Sequence, residues 1–118
     1  MTSRGDVVII QFPYVTAGRG KNRPALVIQG NRNNQRLQNT IVAMITGNVR
    51  LATVEATQVL IDPATPEGKS SGLRFVSAVK CENLFTVSQS DILQTLGDLS
   101  LTLLQQVDAA LKAALELS

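Results

Sequence analysis

Lys21-Asn22-Arg23-Pro24-Ala25-Leu26-Val27-Ile28-Gln29 changes chain character within a few residues. Ahead of it runs the glycine-rich stretch Ala17-Gly18-Arg19-Gly20, and after Pro24 comes a short apolar run with the Val and Ile content of a β-strand, Ala25–Gln29. Arg23 thus sits where a flexible loop becomes a rigid strand, a good place for a guanidinium that grips a phosphate. Arg19 and Lys21 beside it are further candidates for contact with such a substrate. The position matters more because the chain has no histidine, the side chain that usually moves protons near neutral pH.

Working outward, similar brief runs bounded by Gly, Asn or Pro predict strands at Asp6–Phe12, Thr40–Thr46, Thr53–Ile61 and Arg74–Cys81, with Leu84–Val87 as a further short one. Within Thr53–Ile61, Glu55, Thr57 and Val59 alternate with Val54, Ala56 and Gln58, as expected of a strand with one wet face. Five or six strands at this spacing imply a small barrel or strongly curved sheet, which avoids long exposed edges. The last third changes period. Ser88 and Ser90 are candidate caps for a short helix over Asp91–Leu96 that Gly97 would end. Ser100 is the candidate cap of a longer helix across Leu101–Leu117, with Leu104, Val107, Leu111 and Leu115 on its apolar stripe. The amide-rich stretch 30–39 and the Pro/Gly/Ser-rich stretch 62–72 read as loops. The expected class is mainly β with a C-terminal helix (α+β).

At 118 residues the chain fits one domain over 1–118, long enough to bury a core without staples. The single cysteine, Cys81, has no partner within the chain. No apolar run approaches the ~20 residues that span a bilayer, and no signal-peptide core follows the start, so no membrane role and a reducing cytoplasm are expected. The net charge of +2 hides an asymmetry. Residues 1–50 hold seven Lys and Arg against Asp6 alone, whereas residues 51–118 hold four against eight Asp and Glu. A basic first half suits a face that meets phosphate.

With no histidine, one cysteine and no carboxylate pair at a metal-site spacing, neither metal catalysis nor a Ser or Cys hydrolase is supported, and no cofactor is expected. RNA is the substrate whose chemistry survives these exclusions, because its 2′-hydroxyl is an internal nucleophile. Three tasks remain: removing that hydroxyl's proton, stabilising the extra charge at phosphorus, and protonating the leaving 5′-oxygen. Arg23 suits the second, and one such donor is typically worth ~3–4 kcal/mol in the transition state. Arginine keeps its proton, so the base lies elsewhere. Only Phe12, Tyr14, Phe75 and Phe85 are aromatic. Base selection would then rest on hydrogen bonds, with Tyr14 as the stacking candidate.

Arg4-Gly5-Asp6-Val7-Val8, Arg23-Pro24-Ala25-Leu26-Val27-Ile28, Ile41-Val42-Ala43-Met44-Ile45-Thr46, Ser77-Ala78-Val79, and Leu96-Gly97-Asp98-Leu99-Ser100 before Val107 and Ala110-Leu111 together resemble the MazF/PemK toxin family, in its order along the chain. The resemblance implies an SH3-like barrel with a C-terminal helix, of the type shared with CcdB, and a homodimer. It also implies a metal-independent endoribonuclease that cuts single-stranded RNA, often mRNA, leaving a 2′,3′-cyclic phosphate and a 5′-hydroxyl until a cognate antitoxin occupies the site. Residue by residue, the family's arginine before proline falls on Arg23 and its catalytic threonine on Thr57, with Thr53 a nearby competitor; Thr46 and Ser77 fall where members contact RNA. A basic-x-acidic pair of the plasmid-borne branch falls on Lys80-Cys81-Glu82, where Lys for Arg and Glu for Asp differ in reach. Ala17 and Gly18 stand where many members carry an acidic residue or histidine, which leaves Glu82 as the candidate base by elimination and Lys80 as a substrate contact. Two rivals stay open. One is a CcdB-like gyrase-binding toxin, although this chain lacks the tryptophan-bearing tail of those toxins. The other is an RNA-binding homologue whose catalysis has lapsed.

Overall fold

A computed structural model describes residues 2–12 and 21–118, without the side chains of Phe12 and Lys21. Asp6–Phe12 forms β1, Lys21–Val27 β2, Asn31–Arg36 the short helix α1, Asn39–Thr46 β3, Gln58–Ile61 β4, Ser77–Ser88 β5, Ile92–Asp98 β6 and Leu101–Leu115 α2. The strands make one antiparallel sheet in the order β4-β5-β3-β2-β1-β6. This is the mainly β, helix-capped architecture expected from the sequence. Its terminal strands β4 and β6 are not hydrogen-bonded to each other, so the sheet is barrel-like without closing.

Both faces of the sheet are apolar over much of their area. On one, Val7, Leu26, Ala43, Ile45, Val59, Val79 and Cys81 pack with Leu103, Val107 and Ala110 of α2, and the helix lies on β4 and β5. On the other, Val8, Ile10, Ala25, Val27, Val42 and Val87 form a second cluster. Ser100 caps α2 as expected, its Oγ accepting from Leu103 N at 3.3 Å. The buried stripe, however, runs through Leu103, Val107 and Ala110 rather than through Leu104, Val107, Leu111 and Leu115; Leu104 and Leu111 flank it, and Leu115 is exposed. The helix stops at Leu115, where Glu116 takes a left-handed conformation (φ 54°) and Leu117 N reaches back to Lys112 O at 2.8 Å.

Three other elements differ from the sequence expectation. The strand expected over Thr53–Ile61 contracts to Gln58–Ile61, because local bonds such as Ala52 N to Val49 O and Glu55 N to Leu51 O hold residues 49–55 in turns. The strands expected at Arg74–Cys81 and Leu84–Val87 join into the single β5, which serves both β3 and β4. The helix expected over Asp91–Leu96 is instead β6: Ser88 does cap a turn, over Gln89–Asp91, but the chain then pairs along the free edge of β1. Pairing a bare strand edge outweighs the small helix preference of Leu and Gln. Gly97 consequently ends no helix. A Cβ there would overlap the Ser70 carbonyl, and it is this close approach that requires glycine. Gly5, at φ 96°, extends the pairing of β1 toward both of its neighbours, donating to Val27 O at 2.8 Å and accepting from Leu99 N at 3.0 Å.

The amide-rich stretch 30–39 holds α1, in place of the expected loop. Its sequence is a poor helix former, and tertiary bonds fix it. Asn34 is buried; its Nδ2 donates to Gln29 O at 2.9 Å, and its Oδ1 accepts from Gln29 Nε2 at 2.9 Å and from Thr40 Oγ1 at 2.7 Å. Gln89 then donates to Asn34 O and Leu37 O at 2.7 and 2.9 Å, satisfying carbonyls at the end of the helix. Arg4 ties the same corner to α2, bonding Ile28 O through Nε at 3.0 Å and pairing with Asp108. Asn34→Ala strands the Gln29 and Thr40 donors in the interior, and a loss of about 3 kcal/mol is expected in urea unfolding; a loss below about 0.5 kcal/mol would show that the network contributes nothing.

Candidate functional site

Met44, Lys80 and Gln58 form one row across β3, β5 and β4, since Met44 pairs with Lys80 and Lys80 with Gln58. Side chains alternate between faces along a strand, and Ile45 and Val79 point into the core beneath α2. Thr46, Lys80 and Gln58 therefore stand on the face away from the helix. With Asn48 and Leu51 they line a cleft of ≈ 70 Å³.

Beside this cleft β5 carries an excess of chain. Consecutive residues Ala43 and Met44 of β3 pair with Leu84 and Lys80, so Cys81, Glu82 and Asn83 have no counterpart on β3. The bulge leans on the segment before β4, Cys81 N donating to Thr57 O at 2.9 Å. Bulges of this kind commonly re-aim a side chain beside a functional site. Here Glu82 accepts a hydrogen bond from Gln58 Nε2 at 2.8 Å.

At the end of β3, Thr46 Oγ1 accepts from Asn48 N at 3.1 Å, and Asn48 Oδ1 accepts from Arg50 N at 3.2 Å. The first bond uses a lone pair of the hydroxyl, so its hydrogen, which has no acceptor among the described residues, can still donate. Arg23 lies exposed on β2 opposite Ile10. Its face is that of Ala25, which pairs with Met44 of β3, so Arg23 lies beyond that pair, toward the Thr46 end. Among the described residues Arg4–Asp108 is the sole ion pair, and neither Arg23 nor Lys80 has a carboxylate partner there. Two uncompensated cations on one face of one end of the sheet make a site for an anion.

The residues expected from the sequence divide accordingly. Thr46 and Lys80 line the cleft; Arg23 lies on the same face of the sheet, and Glu82, in the bulge beyond Lys80, reaches the cleft only through its bond to Gln58. Thr57 lies in the turn before β4, outside the strand expected for it; its carbonyl serves the bulge, and it does not line the cleft. Thr53 lies in the preceding turn, exposed. Ser77 is buried, with its hydroxyl donating to Phe75 O at 2.9 Å. Arg19, Tyr14, Ala17 and Gly18 lie outside the described residues, as does the side chain of Lys21. Gln58 is the residue that sequence reasoning missed. An amide opening the otherwise apolar Gln-Val-Leu-Ile strand is a signal, but its partner is 24 positions away. Among the described residues no group of three or more Cys, Asp or Glu gathers to hold a metal ion.

Residues 3–115 match the family described as PemK-like, MazF-like toxin of type II toxin-antitoxin system. The chain belongs to this family. A curated PemK/MazF relative, endoribonuclease MazF6 of Mycobacterium tuberculosis, is 34% identical over 98 residues, covering 82% of this chain and 81% of its own length. Among solved structures, Mycobacterium tuberculosis toxin MazF-mt6 is 27% identical and superposes with a TM-score of 0.76, covering 96% of this chain and 98% of that one. A mycobacterial endoribonuclease in complex with its cognate antitoxin shares the fold at a TM-score of 0.80 and 20% identity, covering 100% of this chain and 98% of that one.

Cys81 takes no direct part in this PemK/MazF site. Burial first, and then the neighbouring Glu82 charge, push its thiol up to about 12 from 9.0. The folded state therefore keeps the proton that the unfolded state gives up above pH 9. Any stability held in this way is complete below pH 9 and falls as pH rises from there toward 12. Iodoacetamide at pH 8 is expected to leave the native protein unmodified and to label it once denatured; fast labelling of folded protein would contradict the burial.

Proposed function

We propose that this PemK/MazF-family chain is an endoribonuclease toxin that cleaves single-stranded RNA, mRNA included, without a metal ion. The observation that carries the reading is the cleft lined by Thr46, Lys80 and Gln58 on the sheet face that also bears Arg23, with Glu82 bonded to Gln58 and neither cation paired with a carboxylate among the described residues. In this reading Glu82 takes the proton of the 2′-hydroxyl as its oxygen attacks phosphorus. Arg23 spreads its donors over the phosphorane oxygens and stays charged throughout. Thr46, whose hydroxyl hydrogen can still donate, takes the positioning role that the sequence reading gave to Thr57. The bond from phosphorus to the 5′-oxygen breaks, and that oxygen takes a proton from the Lys80 ammonium. The products are a 2′,3′-cyclic phosphate and a 5′-hydroxyl, and exchange with water restores both side chains. The Asn48 amide beside the cleft is the group for choosing a base by hydrogen bonding.

The same reading includes a homodimer at work in the cytoplasm and an antitoxin that blocks the RNA face. An acidic segment that folds on binding would suit Arg23, Lys80 and Arg50; a structural neighbour is itself an endoribonuclease in complex with its cognate antitoxin.

Purified protein incubated with long RNA in EDTA is expected to produce cyclic-phosphate ends. Their absence across varied sequences would remove the enzyme claim, and a requirement for added Mg²⁺ would remove the metal-free mechanism. Arg23→Ala is expected to slow cleavage at least about a hundredfold while remaining folded. Thr46→Ala is expected to cost at least about tenfold and Thr57→Ala less than about threefold, read in the same single-turnover assay. The reverse order would return the role to Thr57.

A further inference from the structure

We infer that Gln58 is a positioning residue that holds Glu82 away from Lys80, keeping the base and the cation of the site as separate charges. The inference rests on the reading of Lys80 and Glu82 given above. Two oppositely charged residues two positions apart on a strand ordinarily project from the same face and are free to pair. Here Glu82 lies in the three-residue bulge, and its carboxylate is held by Gln58 Nε2 at 2.8 Å, while no Lys80–Glu82 ion pair forms among the described residues. Gln58 is well fixed for this purpose. It is 8% exposed, its backbone is in register with Lys80 itself, and Val59 next to it is anchored in the core beneath α2.

The chemical consequence follows from what a paired carboxylate and ammonium do to each other. A direct Lys80–Glu82 pair would stabilise Glu82 in the form that holds no proton and Lys80 in the form that keeps one. Both groups would then resist the transfers asked of them. A neutral amide orients the carboxylate by a single donated bond and leaves its second oxygen available to a 2′-hydroxyl. It also leaves Lys80 uncompensated beside the cleft, where a phosphate can meet it.

The test is Gln58→Met, which keeps length and flexibility but removes the donor, with folding confirmed by thermal unfolding. In a crystal structure of this variant Glu82 is expected to swing to within about 4 Å of Lys80; a carboxylate that keeps its native place overturns the inference. In single-turnover RNA cleavage Gln58→Met is expected to cost about tenfold to a hundredfold in the wild-type background. In a Glu82→Ala background it is expected to cost less than about twofold. An equal loss in both backgrounds overturns the inference in favour of a merely structural role. Gln58→Glu supplies a third readout. Its carboxylic acid can donate to Glu82 only when the pair shares a proton, so its rate relative to Gln58→Met is expected to rise as pH is lowered from about 8 to 6; a ratio constant with pH overturns it. Should the wild-type protein fail to cleave any RNA, the functional reading falls, and the crystal structure of Gln58→Met still decides where Glu82 is held.

Discussion

The bulge at Cys81-Glu82-Asn83 lets one strand serve two partners, and the rest of the molecule is arranged around that service. Before it, β5 is flanked by β3 and β4, and after it β5 continues along β3 alone. Three residues without β3 partners absorb the change and still leave no described buried side-chain polar atom unsatisfied. The main-chain bond from Cys81 N to Thr57 O closes one of the gaps they open. Because the chain resumes β3 pairing at Leu84, Phe85 and Val87 return to the second apolar cluster, while Cys81 has already been delivered to the first. In a strand of regular alternation Cys81, Phe85 and Val87 would all share one face.

Site and core are thus products of the same irregularity. Polar side chains concentrate where the sheet's outer face runs past its second apolar cluster, at the end where β3 breaks into the turns around Asn48. The face is stiff beneath, since every neighbouring position on the inner side is core. Rigid backing of this sort lets single hydrogen bonds determine where a charged group stands, which is what a preorganised site requires.

How much of this was legible in the sequence depended on whether local pattern or distant partners decided each element. β1 was read at its observed bounds and β3 within one residue, because their apolar, β-branched runs are bounded by turn residues on both sides. α1 was invisible: Asn31–Arg36 lacks helix propensity, and its stability comes from Gln29, Thr40 and Gln89. β6 carried a helix-like composition and a true Ser88 cap, yet the free edge of β1 overrode both. Arg23 could be named because it stands where a glycine-rich loop becomes an apolar strand, and Lys80 and Glu82 because the resemblance to the PemK/MazF family falls on them. That Thr57 lies in a turn rather than on a strand depends instead on where β4 begins, and that is set by bonds within residues 49–55 that no periodicity announces.

The pairing of β1 with β6 has a kinetic side. It joins residues 82 to 92 positions apart in the chain, so one of the earliest strands to be synthesised finds its second neighbour only when nearly the whole sequence is present. Closing so large a loop costs entropy before any contact repays it, which places the fold among the slower, non-local topologies that take milliseconds to seconds. Until then β1 offers a row of open N–H and C=O groups over the apolar residues Val7 to Ile10. A nascent or partly unfolded chain is in that interval a template for strand addition from a second chain, and β6 is what ends the hazard.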